Sequence, residues 1–161
     1  MARVGLVVLS GLFCLLAATN TGCMKCGETI AERTMEKVAE QVTGADEIKL
    51  GGVGSRPVDL SDLPGFLQYP GAKATHSAKV SADGGRQGQY YFETADNASK
   101  VADWFEKNLA AQGWQEPVKV ESGEVIQLHS KSADDKEMAS VVIHSEDGKT
   151  KIGLITMRET K

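Results

Sequence analysis

Turn signals that divide the second half of the chain into short segments constrain its fold more than any other feature. Between the turns, apolar and polar residues alternate with a period of two, as they do in half-buried strands. An Asp-Gly pair between two such segments is a strong hairpin signal. The sequence therefore predicts antiparallel strands joined by four tight turns, at Asp83-Gly84-Gly85-Arg86, Ser122-Gly123, Asp134-Asp135 and Asp147-Gly148.

The first two strands, residues 72–80 and 87–93, show the clearest alternation. On the first strand the even positions, which include His76, are predicted to face the core, and the odd positions, which include Lys79, to face solvent. On the second strand Tyr90 and Phe92 are predicted to face the core. The outward residues of that strand, around the exposed Tyr91, form a candidate partner-binding face beside the two sheet edges, which could accept an added strand; they are Gln89, Tyr91 and Glu93.

A helical pattern follows this strand pair. Val101, Phe105 and Leu109 fall on one stripe, and Thr94 or Asp96 is in position to cap the helix. Gly113 ends it, since glycine readily adopts the left-handed conformation found after a helix. We expect the helix to pack on the inner face of the first two strands.

Four further strands are predicted after the helix, and together the elements indicate an α+β fold. In this fold a strand pair is followed by a crossing helix and an antiparallel meander, and the strands form one antiparallel sheet. An additional amphipathic helix lies near the N-terminus. The predicted strands of the meander are residues 118–120, 125–129, 139–144 and 151–157.

The chain divides into four predicted parts. Residues 1–22 form a signal peptide, and residues 23–43 form a lipid-anchored segment whose amphipathic helix runs from Glu28 to Val42. Residues 44–62 form a Gly-rich linker or irregular hairpin that contains one candidate strand, Glu47 to Leu50. Residues 63–161 form the α+β domain.

Cys23 is the predicted lipidation site. Arg3 and the apolar run from Val4 to Ala18 have the organisation of an export signal, and this run is shorter than the about 20 residues that span a bilayer. Gly22 is the small residue that precedes an acylated cysteine in bacterial lipoproteins, although Asn20 stands where a leucine is usual. Ordinary cleavage and an uncleaved anchor remain alternatives. A free Cys26 is left, so no disulfide framework is expected.

The run of motifs resembles a group of uncharacterised bacterial lipoproteins. The carrying residues are Tyr69-Pro70-Gly71-Ala72, then Thr94 and Asp96 opening a helix that closes with Gly113-Trp114. The resemblance covers residues 23 to 157. It implies the same α+β fold and an envelope location, and it carries over no catalytic residue. Met24 follows Cys23 in place of the Asp that retains some lipoproteins at the inner membrane, which favours the periplasmic face of the outer membrane if the organism has one.

Charge and motif composition exclude several classes of function. The net charge is −4 for the whole chain without a basic stripe, which argues against nucleic acid as a partner. No cofactor or metal site is expected, since the three histidines lack metal-ligand spacing. We expect a lipid-anchored, non-enzymatic binding or accessory module of the cell envelope, with the bilayer and an envelope protein or peptidoglycan as partners.

The alternative function is an envelope hydrolase acting on peptidoglycan or lipid. It requires a pocket in which polar groups converge, for example His129 or His144 beside Asp134 or Glu137. No serine, cysteine or lysine lies in a recognisable nucleophile motif.

Overall fold

A computed structural model describes residues 37, 45–53, 55–82 and 84–159 of the chain. The described residues build one antiparallel sheet of seven strands, with one α-helix and one short 3-10 helix. The helix α1 is Ala98–Ala111, and the 3-10 helix is Gly65–Leu67. The strands are β1 (Glu47–Gly51), β2 (Lys73–Ala82), β3 (Gly85–Thr94), β4 (Val118–Ser122), β5 (Val125–Lys131), β6 (Glu137–Glu146) and β7 (Lys149–Glu159).

The strand order across the sheet is β1-β2-β3-β7-β6-β5-β4. β7, the last of the described strands along the chain, therefore lies in the centre, between β3 and β6. The connection through α1 carries the chain from β3 to the far edge, from which β4 to β7 return as a meander. Every neighbouring pair is antiparallel.

The predicted α+β class is wrong, because strands dominate the described structure. Backbone pairing continues beyond the apolar runs into polar ends, so that β6 and β7 have 10 and 11 residues. In addition, β1 lies within the segment predicted as a linker. It joins the sheet by pairing with β2, with Glu47 opposite Ser81 and Gly51 opposite Ser77. Hydrogen bonding along a ladder does not require apolar side chains, so hydropathy underestimated the strands.

The predicted signal peptide, Cys23 and the N-terminal helix lie outside the described residues, apart from Lys37. The boundaries of the four predicted parts therefore stay predictions. Within the described ranges, no helix has the length and apolar content needed to cross a bilayer.

One side of α1 is buried against the sheet. Val101, Phe105 and Leu109 are at most 1% exposed. The helix cap is Asn97, one residue after Asp96 and three after Thr94, the two predicted caps. Its side chain accepts a hydrogen bond of 2.8 Å from the Lys100 amide. The helix lies over β5 and β6, because the chain has to reach the far edge of the sheet to start β4. Its buried residues share one core with Tyr90 and Phe92 of the first strand pair, as expected.

A β-bulge reverses the side-chain pattern of β2. Ala74 lies opposite Phe92, but His76 lies opposite Tyr91, so Thr75 is an extra residue in the strand. Beyond the bulge, the odd positions face the side of the sheet that carries α1. The predicted inward orientation of His76 and outward orientation of Lys79 are therefore wrong: His76 is exposed, and Lys79 is only 8% exposed.

Lys79 fixes the connection between β1 and β2 to the sheet. Its ammonium group lies 2.8 Å from an Asp59 carboxylate oxygen and 3.1 Å from one of Asp62, and it donates a 2.8 Å hydrogen bond to the Ser61 hydroxyl. Burial alone would lower the pKa of Lys79, but the hydrogen bonds to both carboxylates outweigh burial and raise it. The cation is thus fully paired although it is buried.

The same cluster predicts a dependence of stability on acid. The hydrogen bonds from Lys79 and from the Ser61 amide lower the pKa of Asp59 from 3.8 to about 2. A carboxyl with a lowered folded-state pKa stabilises the fold above its unfolded pKa, and this contribution is lost as the pH falls from about 4 to 2. We expect the free energy of unfolding of Lys79→Met, measured in urea at pH 7, 4 and 2, to fall less over the acid range. Exposed Lys73→Met is the control, and an unchanged acid slope in Lys79→Met would contradict the assignment.

Candidate functional site

The sheet has one face that neither described helix covers. α1 and residues 59–70 pack on the opposite face, where the core lies. We call the uncovered face the open face; one row of paired residues crosses it from β2 to β5, with His76, Tyr91, Gly153, Val142 and Gln127 in order.

Tyr91 and Gly153 shape the centre of the open face. Tyr91 is 47% exposed, although it lies near the middle of a central strand. A β-carbon placed on Gly153 would lie 3.7 Å from the Tyr91 ring, so the ring lies close over the glycine. Because Gly153 has no side chain, a depression remains beside the ring.

This depression is part of an open groove with a volume of about 540 Å³. Apolar side chains, among them Val142 and Ile155, form much of its lining with the Tyr91 ring. One end is polar, since Lys151 lies opposite both Glu93 and His144 in the strand register. The groove is within the size range of pockets for small organic ligands, and it joins an apolar surface to a charged end.

The charged end is an ion-pair cluster between β3 and β7. Glu93 contacts the Lys151 ammonium group and lies 3.1 Å from that of Lys149. Hydrogen bonds from Lys151 and Lys149 hold the pKa of Glu93 below its ordinary value. The carboxylate therefore stays ionised near neutral pH and is neutralised by two cations, which makes it a poor general base.

The three residues of the predicted partner-binding face lie on the open face in successive rows of β3. Tyr91 and Glu93 line the groove, whereas Gln89 lies one row away, between Ala78 and Ile155. Sequence reasoning missed Gly153 and Lys151 and named His144 only for a hydrolase pocket, because their position beside Tyr91 depends on the pairing of β3 with β7 and of β7 with β6, for which the local sequence carries no signal. The partner-binding role of the predicted face stays a prediction.

The residues named for a hydrolase are not assembled by the described structure. His129 and His144 lie on the open face, whereas alternation along β6 places Glu137 on the opposite face, where it lies 2.7 Å from Arg158. Asp134 accepts a 2.7 Å hydrogen bond from the Ser132 hydroxyl within the turn before β6. Within the described ranges, no group of three or more acidic, histidine or cysteine side chains is suitably placed for a metal ion.

A second groove on the sheet is more strongly charged. It has a volume of about 490 Å³ and lies at the end of the sheet where β2 meets β3. Met138 and Met157 contribute apolar surface there, and Arg86, Lys136 and Glu159 contribute charges. The groove at Tyr91 offers the more continuous apolar surface, and it is the candidate ligand site.

A family model described as START domain-like matches residues 74–151. The match runs from β2 to the beginning of β7 and includes α1, Tyr91 and the polar end of the groove. It suggests a ligand-binding module, in agreement with a binding role. No curated protein and no solved structure matches the chain.

Proposed function

We propose that this chain is a non-enzymatic ligand-binding module of the bacterial cell envelope, anchored to the membrane through acylated Cys23. The groove beside Tyr91 carries the proposal, since it combines a central aromatic ring, an apolar lining and a charged end on a rigid sheet. The START domain-like match over residues 74–151 supports a ligand-binding role.

The chemistry of the groove favours binding over hydrolysis. Of the two carboxylates in its lining, Glu93 and Glu146, Glu93 is held by Lys149 and Lys151, so it is a poor base for activating a water molecule. Exposed aromatic surface contributes to binding through apolar contact and needs no proton transfer. A ligand with an apolar body and a polar end matches this arrangement.

The envelope location rests on the sequence. A short apolar leader followed by Thr21-Gly22-Cys23 and the resemblance to bacterial lipoproteins support acylation and export. Several acyl chains on one cysteine would hold the protein stably on a membrane, since each buried methylene group contributes about 0.8 kcal/mol. The groove would then collect its ligand at a membrane surface.

Filling the groove is expected to abolish ligand binding without unfolding the protein. A leucine at Gly153 would occupy the depression beside Tyr91, whereas its β-carbon has ordinary contact distances. With the fluorescent apolar anion anilinonaphthalene sulfonate as the probe, we expect the affinity of Gly153→Leu, measured by fluorescence titration, to fall at least about tenfold, which corresponds to 1.4 kcal/mol.

The matched control is Gly65→Leu, which lies on the other side of the sheet where no atom lies within 4 Å of the new β-carbon. It should bind the probe as the unmodified chain does. Thermal unfolding of both variants checks that they are folded. Equal affinities of the two variants would show that the probe binds elsewhere and would refute the groove as the site.

Acylation of Cys23 has a direct test. Mass spectrometry of the protein purified from membranes is expected to show Cys23 as the mature N-terminus with an acyl-bearing mass. Cys23→Ala should remain unprocessed or appear in the soluble fraction, whereas Cys26→Ser should stay membrane-bound. An unmodified N-terminus at any other residue would refute the anchor.

A further inference from the structure

The outer edge of β4 is an available surface for strand pairing. β4 pairs with β5 on one side, and no strand in the described part of the chain pairs with its other side. All five of its residues are exposed, and Val118 and Val120 are 64% and 49% exposed. An edge strand of this kind presents unpaired backbone donors and acceptors to a second strand.

The sequence of β4 is complementary to itself in the antiparallel direction. If two copies of Val118-Lys119-Val120-Glu121-Ser122 align with Val120 opposite Val120, Lys119 of each copy lies opposite Glu121 of the other. Opposite charges and β-branched residues facing each other across strands are both favourable pairs. Two cross-strand ion pairs and one valine pair thus follow from five residues.

The contacts within one copy permit this exchange of partners. Lys119 lies 3.0 Å from Glu121 and 3.2 Å from Glu106 on α1, and these side chains are about one-third or more exposed. Exposed ion pairs contribute little net stability, so reorienting Lys119 or Glu121 costs little. Val118 and Val120 alternate with these charges and lie on the open face, where a second copy would cover part of their apolar surface.

We propose that β4 pairs antiparallel with β4 of a second copy about a two-fold axis through Val120, so that one sheet continues through both copies. Pairing of two five-residue strands makes a small interface. Interfaces that are stable in solution bury more than about 1,000 Å². The dimer is therefore weak in dilute solution and forms where copies are concentrated, as on a membrane surface if the proposed anchor is present.

Disulfide trapping of the full chain in its native membranes tests the geometry. In a Cys26→Ser background, Val120→Cys lies on the axis, and oxidation is expected to yield at least about five times more dimer than Val118→Cys. In the proposed pair the two Val118 residues are about 14 Å apart along the strands, beyond the reach of a disulfide. Val118 is the more exposed residue, so random collision would favour the opposite result.

The Cys26→Ser chain without a new cysteine is the baseline, because any dimer that it yields on oxidation comes from Cys23 and not from a cysteine in β4. A dimer yield at Val118→Cys equal to or above that at Val120→Cys would overturn the proposal. So would a disulfide from Val120→Cys to a different protein in place of a second copy.

A charge exchange tests the pairing independently. In the Val120→Cys background, Lys119→Glu places glutamates opposite each other, and Glu121→Lys places lysines opposite each other, so each variant alone should lose most of its dimer yield. Mixing the two variants restores both ion pairs, because the introduced glutamate of one copy then meets the introduced lysine of the other. A gain confined to the mixed dimer, read from copies with different tags, is expected, and a yield that does not rise on mixing would overturn the proposal.

Discussion

Replacing Phe105 by alanine is expected to destabilise the protein by about 3 to 5 kcal/mol, a large fraction of the stability of an ordinary domain. Phe105 is 1% exposed in the middle of α1. Its ring centre lies 4.9 Å from that of Trp104 and 6.3 Å from that of Tyr69. Truncation therefore leaves a cavity where the helix, the segment before β2 and the sheet meet.

The prediction is checked by denaturant unfolding of Phe105→Ala beside Lys107→Ala. Lys107 is an exposed residue of the same helix, so its replacement should change the free energy of unfolding by no more than about 0.5 kcal/mol. A loss below about 1 kcal/mol for Phe105→Ala would mean that the aromatic cluster does not hold α1 on the sheet.

The second large effect is expected at Gly52, where the chain leaves β1. Its φ is +77°, and a β-carbon there would lie 2.2 Å from the carbonyl oxygen of Thr75. Because the obstructing atom belongs to the backbone, no side-chain movement relieves the clash. Left-handed strain of about 1 to 2 kcal/mol and overpacking of about 1 to 3 kcal/mol together predict a loss of about 2 to 5 kcal/mol for Gly52→Ala.

Gly71 provides a matched control, since its φ is +76° and nothing lies within 4 Å of the position that an added β-carbon would take. Gly71→Ala should therefore show the conformational cost alone, about 1 to 2 kcal/mol. The difference between the two losses of unfolding free energy, measured in urea, gives the cost of the clash between an added β-carbon at position 52 and the backbone of Thr75. Equal losses of stability in Gly52→Ala and Gly71→Ala would contradict the prediction, since they would show that the chain at Gly52 can move away from β2 at no cost.

Local patterns predicted the elements of the fold better than their assembly. The stripe of Val101, Phe105 and Leu109 placed the helix correctly, because core burial of a helix follows directly from its periodicity. The position of α1 over β5 and β6 depends on strand order, which no local pattern contains. The overall α+β class was wrong for a different reason, since the strands extend beyond their apolar runs and β1 joins the sheet.

The bulge in β2 shows where an alternating pattern fails. The sequence around Ala74 and His76 alternates without interruption, so nothing in its hydropathy marks Thr75 as an extra residue. One unpaired residue was enough to exchange the faces of the following positions. Lys79 therefore lies on the covered face, where Asp59 and Asp62 neutralise it, an arrangement that alternation assigned to solvent.

The candidate site was only partly predictable from the sequence. The Tyr91 ring could be identified as outward-facing, since its neighbours Tyr90 and Phe92 were predicted to face the core. The groove also needs Gly153 and the lysine at position 151, which are about 60 residues away along the chain. A glycine that makes room for a distant ring has no distinguishing mark in the sequence.

The central position of β7 has a consequence for the order in which the molecule can be completed. β3 pairs with β7 from Gly85 opposite Glu159 to Thr94 opposite Thr150, so a helix and three strands separate the two partners along the chain. Until β7 is in place, β3 and β6 each present an open edge, and the chain consists of two hairpin groups without a shared sheet. Such distant pairing folds slowly, and open edges favour association between chains. During synthesis the molecule is therefore most exposed to aggregation just before β7 pairs with β3 and β6.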